Sequence, residues 1–347
     1  MKYLYENAVD RDSINVVQFG LGPIGINAAK TAMTKDMVKM VGAVDIDPAI
    51  TGKDLGEILG FSDNLGVTVV DDIQKIFNKT KVDVVLHTTS SFVAKTFDQF
   101  KTIMEGGANV ISSTEELLLP DLKNPDKAEE LDAIAKANNV TCLGTGVNPG
   151  FVMDTFVLCI TSMCNRVDHV YAEREVDAAT RRGPLQKKVG AGLTIKEFRA
   201  LADAGKLGHI GMMESVAFIA KGLGWQLDNI EETLEPMVAD RDIITQFVEL
   251  KAGQAAGIKN IGTGYYQGKE LIKLDLRMYV GARNPHDAIR ITGNPPVDVV
   301  VNGGFHGDIA TIASLVNNIP RVIKAPAGLC TMMDLPLPRI FAGKSNF

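Results

Sequence analysis

The sequence predicts an α/β protein, with a doubly wound parallel sheet in its first part and an α+β domain with a largely antiparallel sheet in its second. Through about residue 145, short continuous apolar segments alternate with helix-like segments, which is typical of parallel strands covered on both faces. A strict polar–apolar alternation appears only later, at residues 272–280, and indicates a strand with one buried face and one wet face. At 347 residues, the chain is long enough for two domains.

Six strands are predicted in the first part, with helices between most of them. The strands are Ile14–Phe19, Val38–Val44, 67–70, 82–86, 108–111 and 141–143, and the helices include 73–78, 93–104 and 126–137. In a doubly wound sheet, ligands bind where the carboxyl ends of the strands meet. We therefore expect functional residues in the loops that directly follow these strands.

The remaining chain predicts a second domain and a returning C-terminal segment. Thr194 and Glu197 have the spacing of a capping box that opens a helix through about residue 204. A last helix begins after Asp308 and ends before Pro320. The predicted domains are residues 1–150, residues 151–305, and a segment at 306–347 that packs back on the first domain.

Composition and charge exclude several classes of protein. The net charge is −6 and Lys and Arg form no dominant block, so nothing suggests binding to nucleic acid or to a membrane surface. The apolar stretches are shorter than the roughly 20 residues of a membrane span, and the polar N-terminus does not resemble a secretory signal. We expect a cytoplasmic protein whose four cysteines are reduced, with no metal site, because they lack metal-ligand spacing.

A glycine-rich turn follows the first strand. Gly20, Gly22 and Gly25, with Pro23 and Ile24 between the last two, form a GxGxxG pattern that opens a helix. The first glycine permits the tight turn, the second lets a pyrophosphate approach the backbone, and the third lets the helix pack on the strand. Following a strand and preceding a helix, this pattern predicts a Rossmann-type dinucleotide-binding domain.

Asp45 ends the second strand, 20 residues after Gly25. A carboxylate at this position accepts both hydroxyls of the adenosine ribose and repels a 2′-phosphate. The next residue is Ile46 rather than an arginine, and Asp47 adds a second negative charge. The expected cofactor is NAD, although Lys53 leaves room for NADP as well.

Small polar residues follow the fourth strand. His87, Thr88, Thr89 and Ser90 are candidates for contact with the nicotinamide ribose. The alternatives are that Ser90 and the serine after it cap the next helix, and that His87 is a structural histidine or a catalytic acid.

Two adjacent carboxylates, Glu115 and Glu116, follow the fifth strand. One could hold a substrate ammonium group and move protons, whereas an acidic helix start is the structural alternative. After the sixth strand, the glycine-rich segment 144–151 predicts a joint between the domains that presents Asn148 to cofactor or substrate.

Further substrate-binding candidates lie in the second domain. Tyr171, Glu173 and Arg174 occupy its first strand, where alternation directs only some side chains into a cleft. A basic loop follows, which is either solvated surface or a site for a carboxylate. Its candidate residues are Arg181, Arg182 and Lys187.

Longer motifs extend from about residue 14 to 338. They are GLGPIG, VGAVDID, GKDLGEILG, HTTSS, NVISSTEELLLP, GTGVNPGFVMDT, RRGPLQKKVGAGLTIKEF, GHIGMMES, GGFHGDIATIASLVNNIP and APAGLCTMMDLP. In combination they resemble the 2,4-diaminopentanoate dehydrogenases, a family related to dihydrodipicolinate reductase. Some relatives are described as amine dehydrogenases that accept simple ketones and ammonia.

The resemblance implies a reversible reaction in anaerobic ornithine degradation. In that reaction 2,4-diaminopentanoate, NAD(P)⁺ and water give 2-amino-4-oxopentanoate, ammonia and NAD(P)H. It also implies that the catalytic carboxylate is one of the Glu115–Glu116 pair, for which we favour Glu115. The amino-acid end of the substrate requires a cation, for which the three basic residues named above are candidates.

Two alternatives remain open at this stage. One is a dihydrodipicolinate-type reductase acting on a cyclic imine, but its His pair is absent and Glu175 stands where it would have a lysine. The other is a non-catalytic NAD(H)-sensing protein. We also expect a homodimer, because an antiparallel sheet with an exposed face favours self-association.

Overall fold

The computed structural model describes residues 13–181 and 183–342. They form two compact units. Unit 1 contains the described residues up to Gly150 together with those from Gly307 onward, and unit 2 is Phe151–His306. The C-terminal segment therefore belongs to unit 1.

The strands described in unit 1 form a seven-stranded parallel sheet. They are β1 (Ile14–Phe19), β2 (Val38–Val44), β3 (Val69–Val70), β4 (Val84–His87), β5 (Asn109–Ser112), β6 (Thr141–Gly144) and β15 (Gly328–Cys330). Their order is β15-β6-β5-β4-β1-β2-β3, with every pairing parallel. This order confirms the predicted doubly wound sheet and adds β15, a strand too short to be predicted from its three residues.

Helices accompany these strands. They are α1 (Pro23–Met33), α2 (Leu55–Leu59), α3 (Gln74–Phe77), α4 (Val93–Glu105), α5 (Pro125–Ala137), α10 (Gly307–Asn317), α11 (Ile319–Val322) and two 3₁₀ helices, Glu115–Leu118 and Pro120–Leu122. Phe100 and Ile103 of α4 and Leu131 of α5 pack with Val85 and Val110 of the sheet in one buried cluster. α10 lies against α1, so the C-terminal segment is part of this layered structure.

Unit 2 is built on a mixed six-stranded sheet. Its strands are β7 (Arg166–Asp177), β8 (Asn229–Val238), β11 (Ala255–Tyr266), β12 (Lys269–Tyr279), β13 (His286–Asn294) and β14 (Val297–Asn302), in the order β14-β13-β7-β12-β11-β8. Only the β7–β12 pairing is parallel, so the expected largely antiparallel sheet is confirmed. β9 (Ile243–Ile244) and β10 (Glu249–Leu250) form a separate hairpin.

The α-helices described in unit 2 are α6 (Thr155–Thr161), α7 (Gly183–Lys188), α8 (Ile195–Asp203) and α9 (Met212–Leu223). α8 packs against β8, and α9 packs against β8, β11 and β12. The capping box between Thr194 and Glu197 is present at the start of α8, as predicted. Under α9, a Cβ added to Gly264 would lie 2.9 Å from Cγ1 of Val216, so the glycine lets this helix approach the strand closely.

The opposite face of the sheet carries charge. Tyr171 and Glu173 of β7 and Asp275 of β12 lie on it, because they alternate with residues that face α9. The prediction of a wet face on β12 was wrong at Asp275, whose exposed fraction is only 3%. Arg277 donates two hydrogen bonds to the Asp275 carboxylate and helps to cover it.

The described residues also bear on membrane and metal binding. No helix among residues 13–181 and 183–342 is both long and apolar enough to cross a membrane. In the same residues, no group of three or more His, Cys, Asp or Glu side chains is arranged to hold a metal ion.

Candidate active site

The glycine turn of unit 1 requires glycine at two positions. Gly20 has a φ of 90°, and a Cβ on Gly25 would lie 1.9 Å from the Gly20 carbonyl oxygen. By contrast, a Cβ on Gly22 would meet nothing within 4 Å, so open space lies in front of this residue. Pro23 then occupies the first turn of α1.

The N-terminus of α1 suits a phosphate group. No side chain caps the N-terminus of α1, where Gly22 is the N-cap residue. The first backbone amides of a helix point out of its N-terminal end, which here means toward the open space beside Gly22. Backbone N–H groups and the positive end of the helix dipole together favour an anion. Ile24 is half-buried in this first turn and Pro23 is exposed. The turn therefore has the shape and polarity of a pyrophosphate cradle.

Asp45 lies beside this turn. Its Oδ2 accepts a hydrogen bond from the Leu21 amide at 2.6 Å, and its Oδ1 accepts one from the Asp47 amide at 2.9 Å. The side chain is half-buried, and the adjacent Ile46 is 83% exposed. The carboxylate thus ties the end of β2 to the glycine turn, where an adenosine ribose would lie.

The imidazole of His87 lies in the interior of unit 1, which favours the structural alternative for this side chain. Its imidazole is fully buried between Phe19 and Phe100. Nδ1 lies 2.9 Å from the Ser112 hydroxyl, and Nε2 lies 2.7 Å from Oε1 of Gln99. Burial lowers the pKa of His87 to about 4, so the ring is neutral and structural.

Thr88, Thr89 and Ser90, which follow β4, make hydrogen bonds to neighbouring segments of unit 1. The Thr88 hydroxyl donates to the Gly20 carbonyl at 3.0 Å and thereby supports the glycine turn. The hydroxyl of the exposed Thr89 lies 2.8 Å from the side-chain amide of Gln99 and 3.0 Å from Nε2 of His87. The Ser90 carbonyl accepts from the Thr114 hydroxyl at 2.8 Å, while its own hydroxyl lies 3.5 Å from the Phe92 amide, near the start of α4.

The structure separates the two adjacent glutamates by their surroundings. Glu116 is 8% exposed, and its Oε2 accepts a hydrogen bond from the Val93 amide at 2.8 Å, in the first turn of α4. Its own amide donates to the Ser91 carbonyl at 3.2 Å. Glu115 is half-buried one residue earlier on the same 3₁₀ helix. The Glu116 carboxylate thus joins two loops, and Glu115 is the more exposed of the two.

Asn148 lies in the loop that follows β6. The side chain is half-buried, and the neighbouring Val147 amide donates to the Thr311 hydroxyl at 3.3 Å. This contact fastens the loop to α10 within unit 1.

In unit 2, Tyr171 and Arg174 lie on opposite faces of the sheet, so the two candidates do not share one surface. The Tyr171 hydroxyl donates to Glu173 at 2.6 Å, and burial together with this contact raises its pKa. Arg174 faces the helix-covered side, where it is 2% exposed and 3.3 Å from an Asp287 carboxylate oxygen. It also donates to the Phe305 carbonyl at 2.6 Å.

Burial dominates the Arg174–Asp287 pair. It lowers the pKa of Arg174 and raises that of Asp287, although each charge favours the ionised form of the other. The charge of Arg181 adds to the lowering at Arg174, so the two guanidinium groups are near one another. Arg181 is therefore a second cation beside Arg174, whose own charge already faces the Asp287 carboxylate.

The basic segment is not a solvated loop throughout. Arg181 is only 8% exposed and lines a cavity of about 250 Å³, whereas residues 183–188 form α7 with Lys187 exposed near its end. Gln186 holds the segment by donating to the Arg181 carbonyl at 2.9 Å. Arg182 lies outside the described residues.

The cavity also contains groups that the sequence analysis did not select. It is lined by Glu175, Asp177, Asp287 and the turn Gly303–His306, besides Arg181. Asp287 was missed because its strand pairs with β7, which is more than a hundred residues earlier in the chain. The Gly303–Gly304 pair next to an aromatic residue and a histidine was the available signal for this turn.

Comparison with known proteins places this chain. Residues 151–346 match the family model for the 2,4-diaminopentanoate dehydrogenase C-terminal domain, and residues 14–140 match the model for the dihydrodipicolinate reductase N-terminus. A 2,4-diaminopentanoate dehydrogenase from Acetoanaerobium sticklandii is 36% identical over 348 residues, covering 96% of each chain. This chain belongs to the 2,4-diaminopentanoate dehydrogenase family. The predicted resemblance is confirmed, and with it the assignment to the dehydrogenases.

Two further relatives of this family member carry the name amine dehydrogenase. One, from Streptomyces virginiae, is 22% identical and covers 93% of this chain and 96% of its own. The other is a solved structure from Mycobacterium smegmatis, 25% identical, with a TM-score of 0.82 and coverage of 96% of this chain and 98% of that one. The second match confirms the predicted combination of a Rossmann-type unit with a second sheet.

Proposed function

We propose that this member of the family is an NAD-dependent amine dehydrogenase that deaminates 2,4-diaminopentanoate. The relative of that name, 36% identical along nearly the whole chain, supports the substrate. The observation that carries the chemistry is the contrast after β5, where the buried Glu116 joins two loops and Glu115 is the more exposed of the two carboxylates.

The residues around the glycine turn fit a dinucleotide. The open space before Gly22 and the uncapped start of α1 suit its pyrophosphate, and Asp45 suits the adenosine ribose. Asp47 and the exposed Ile46 favour NAD over NADP, because neither offers a cation to a 2′-phosphate. Lys53 is paired with Glu57 at 2.9 Å, which makes it a weaker phosphate ligand.

Glu115 performs the proton transfers in the proposed mechanism. Its carboxylate accepts a proton from the substrate ammonium group, which frees the lone pair on nitrogen. A bound NAD⁺ would supply the hydride acceptor for the carbon that bears this amine. Once Glu115 has passed its first proton to solvent, it takes a proton from the water that attacks the resulting iminium carbon, and returns it to nitrogen as ammonia leaves. The sum is substrate ammonium, NAD⁺ and water to ketone, ammonium, NADH and one proton.

The amino-acid end of the substrate is assigned to the cavity of unit 2. A substrate carboxylate needs a cation, and Arg181 offers a guanidinium that is largely buried and lines this cavity. Lys187 is exposed at the end of α7, where water weakens its attraction for an anion. Arg174 already faces Asp287. Among the described basic candidates, Arg181 is therefore the one we favour.

We also propose that the chain forms a homodimer through the charged face of the unit 2 sheet. Partly exposed Lys273 and Arg290 lie there with Glu270, so both signs of charge are present on one surface. Such a surface can meet a second copy of itself about a two-fold axis. Sedimentation of wild type and Arg290→Glu should show a dimer that is weakened in the variant, and a monomeric wild type would contradict the proposal.

The proposed reaction belongs in the cytoplasm, as a step of anaerobic ornithine degradation. It is tested by measuring NADH formation from a panel of amines with NAD⁺ and with NADP⁺. The decisive pair is 2,4-diaminopentanoate and 2-aminopentane, which share a five-carbon chain and the reacting amine but differ in the amino-acid end. We expect a higher kcat/KM for 2,4-diaminopentanoate with NAD⁺. Activity only as a reductase on 4-hydroxy-tetrahydrodipicolinate would contradict this assignment.

A further inference from the structure

A chain of buried hydrogen bonds fastens the turn that carries Glu115. Nδ1 of His87 lies 2.9 Å from the Ser112 hydroxyl, which lies 2.9 Å from the Thr114 hydroxyl. The Thr114 hydroxyl donates to the Ser90 carbonyl at 2.8 Å, and the Thr114 amide donates to the Ser112 hydroxyl at 3.0 Å. The side chains of His87, Ser112 and Thr114 are at most 1% exposed.

The number of available protons fixes which group donates and which accepts in each of these hydrogen bonds. Each hydroxyl has one proton to donate, and the Thr114 proton goes to the Ser90 carbonyl, which can only accept. The contact between the two hydroxyls must therefore hold the Ser112 proton. The Ser112 oxygen then accepts from the Thr114 amide and from Nδ1 of His87, which must carry a proton.

The opposite tautomer of His87, with its proton on Nε2, leaves a buried polar group without a hydrogen-bond partner. If Nδ1 accepted the Ser112 proton, two hydroxyl oxygens would face each other at 2.9 Å with no proton between them, or the Ser90 carbonyl would lose its donor. A buried polar group without its partner costs about 1–3 kcal/mol. On the other side of the ring, Nε2 can only accept in this tautomer, so the Gln99 amide must turn its nitrogen toward it, because rotation about its last bond exchanges oxygen and nitrogen. That nitrogen carries two protons, and it then donates to Nε2 and to the Thr89 hydroxyl, which lies 2.8 Å from Gln99 and 3.0 Å from Nε2.

We propose that His87 is a positioning residue whose neutral Nδ1–H tautomer starts a one-directional hydrogen-bond chain that fixes the Glu115 turn. Thr114 directly precedes Glu115 and is held through both its amide and its hydroxyl. Glu116 directly follows and is held through its amide and its carboxylate. The backbone of Glu115 is thus held on both sides.

This role rests on the proposed function, because it matters for catalysis only if Glu115 is the acid–base group. It differs from a catalytic role for the histidine, since the buried ring cannot touch a substrate. The lowered pKa keeps the ring neutral at neutral pH, so the direction of the chain does not change there.

The first test replaces the hydroxyl next to Glu115. Thr114→Val keeps the shape of the side chain but breaks the chain, so we expect kcat for deamination to fall by about 10- to 100-fold through misplacement of Glu115. The KM for NAD⁺ and the fluorescence titration with NADH should hardly change. Thr114→Ser restores the hydroxyl and should recover most of kcat.

A matched control is available at the start of β6. Thr141 is 1% exposed, and its hydroxyl donates to the Pro326 carbonyl at 2.9 Å, so Thr141→Val removes an equally buried hydroxyl that contacts neither side of the Glu115 turn. We expect it to leave kcat nearly unchanged. Equal kcat values for Thr114→Val and Thr141→Val would overturn the positioning role.

The second test needs no variant. Nitrogen-15 NMR of histidine-labelled protein, with His87 assigned by its absence in His87→Gln, should show Nδ1 protonated and Nε2 unprotonated near neutral pH. A protonated Nε2 with a bare Nδ1 would overturn the proposed direction. Glu115→Gln is measured alongside: if it keeps full activity, the proposed function fails, and if it alone loses activity while Thr114→Val does not, only the positioning role fails.

Discussion

A histidine in each unit illustrates how differently the two halves of the molecule are built. His87 in unit 1 is buried between aromatic rings and neutral side chains, and burial lowers its pKa to about 4. His286 in unit 2 has Nδ1 2.7 Å from the Asn284 carbonyl and Nε2 2.8 Å from Glu173. The hydrogen bond to the Asn284 carbonyl, and after it the contact with Glu173, raises the pKa of His286 above the usual 6.5.

This contrast extends to the candidate sites. In unit 1, loops after parallel strands are held mainly by hydroxyls, backbone groups and two carboxylates, as at Thr88 and Glu116. In unit 2, a cavity and a sheet face are held by charged pairs such as Arg174 with Asp287. Under the proposed function, unit 1 binds the cofactor and supplies the reactive carboxylate, whereas unit 2 binds the charged end of the substrate.

The largest expected effect tests the single reactive carboxylate of unit 1. Glu115→Gln should lower kcat by about 10²- to 10⁴-fold in both reaction directions, because the amide cannot accept the proton. Glu116→Gln should lose much less, since an amide oxygen can still accept from Val93. Both variants should bind NADH in a fluorescence titration. Near-wild-type rates in both would place the catalytic group elsewhere.

The pH dependence of stability tests the contrast between the histidines. The lowered pKa of His87 means that its neutral form stabilises the fold above pH 6.5, and that this contribution is lost as pH falls toward 4. Between pH 7 and 4, wild type should therefore lose roughly 3 kcal/mol more unfolding free energy than His87→Gln. Denaturant titrations at both pH values measure this difference, and equal losses would contradict it.

His286→Gln should show the opposite sign. Because its folded pKa is raised, the charged form stabilises the fold below pH 6.5, and this contribution is lost as pH rises through the folded pKa. The variant should be destabilised relative to wild type at pH 6 but less so at pH 9. The same sign for both variants would remove the contrast between the units.

Charge recognition by unit 2 is tested at Arg181. Losing a hydrogen bond to a charged group typically costs about 1.5–3 kcal/mol, so Arg181→Gln should raise KM for 2,4-diaminopentanoate by about 10- to 100-fold. KM for 2-aminopentane should stay the same, because that amine has no carboxylate. Lys187→Gln is the matched control and should change neither value; a uniform change for both amines would make Arg181 structural.

The smallest expected effect concerns the choice of cofactor by unit 1. Asp45→Ser combined with Ile46→Arg replaces repulsion of a 2′-phosphate by attraction, and should raise NADP use relative to NAD by about tenfold or more. The ratio of kcat/KM for the two cofactors measures it. An unchanged ratio would remove Asp45 from the cofactor site.

The sequence predicted unit 1 better than unit 2 for a physical reason. In a parallel doubly wound sheet, chain order alone brings the loops after the strands to one edge, so the glycine turn, Asp45 and the Glu115–Glu116 pair could be located from the sequence. What it could not give was burial, which decides that His87 is structural and that Glu116 joins loops.

In unit 2, the sheet register decides which side chains meet. Alternation along β7 already separates Tyr171 from Arg174, but only the register with β12 shows which of the two faces the helices cover. The partner of Arg174 is Asp287, which the β7–β13 register brings opposite it. No local pattern encodes such long-range pairing, so the cavity beside Arg181 could not be predicted.

The most direct test of the central claim is the stoichiometry of the reaction with 2,4-diaminopentanoate and NAD⁺. Ammonia and NADH are measured in the same sample, and the organic product is identified by mass spectrometry. Oxidative deamination predicts one ammonia for each NADH and the appearance of 2-amino-4-oxopentanoate. NADH formed without ammonia, or ammonia released without NADH, would contradict the account.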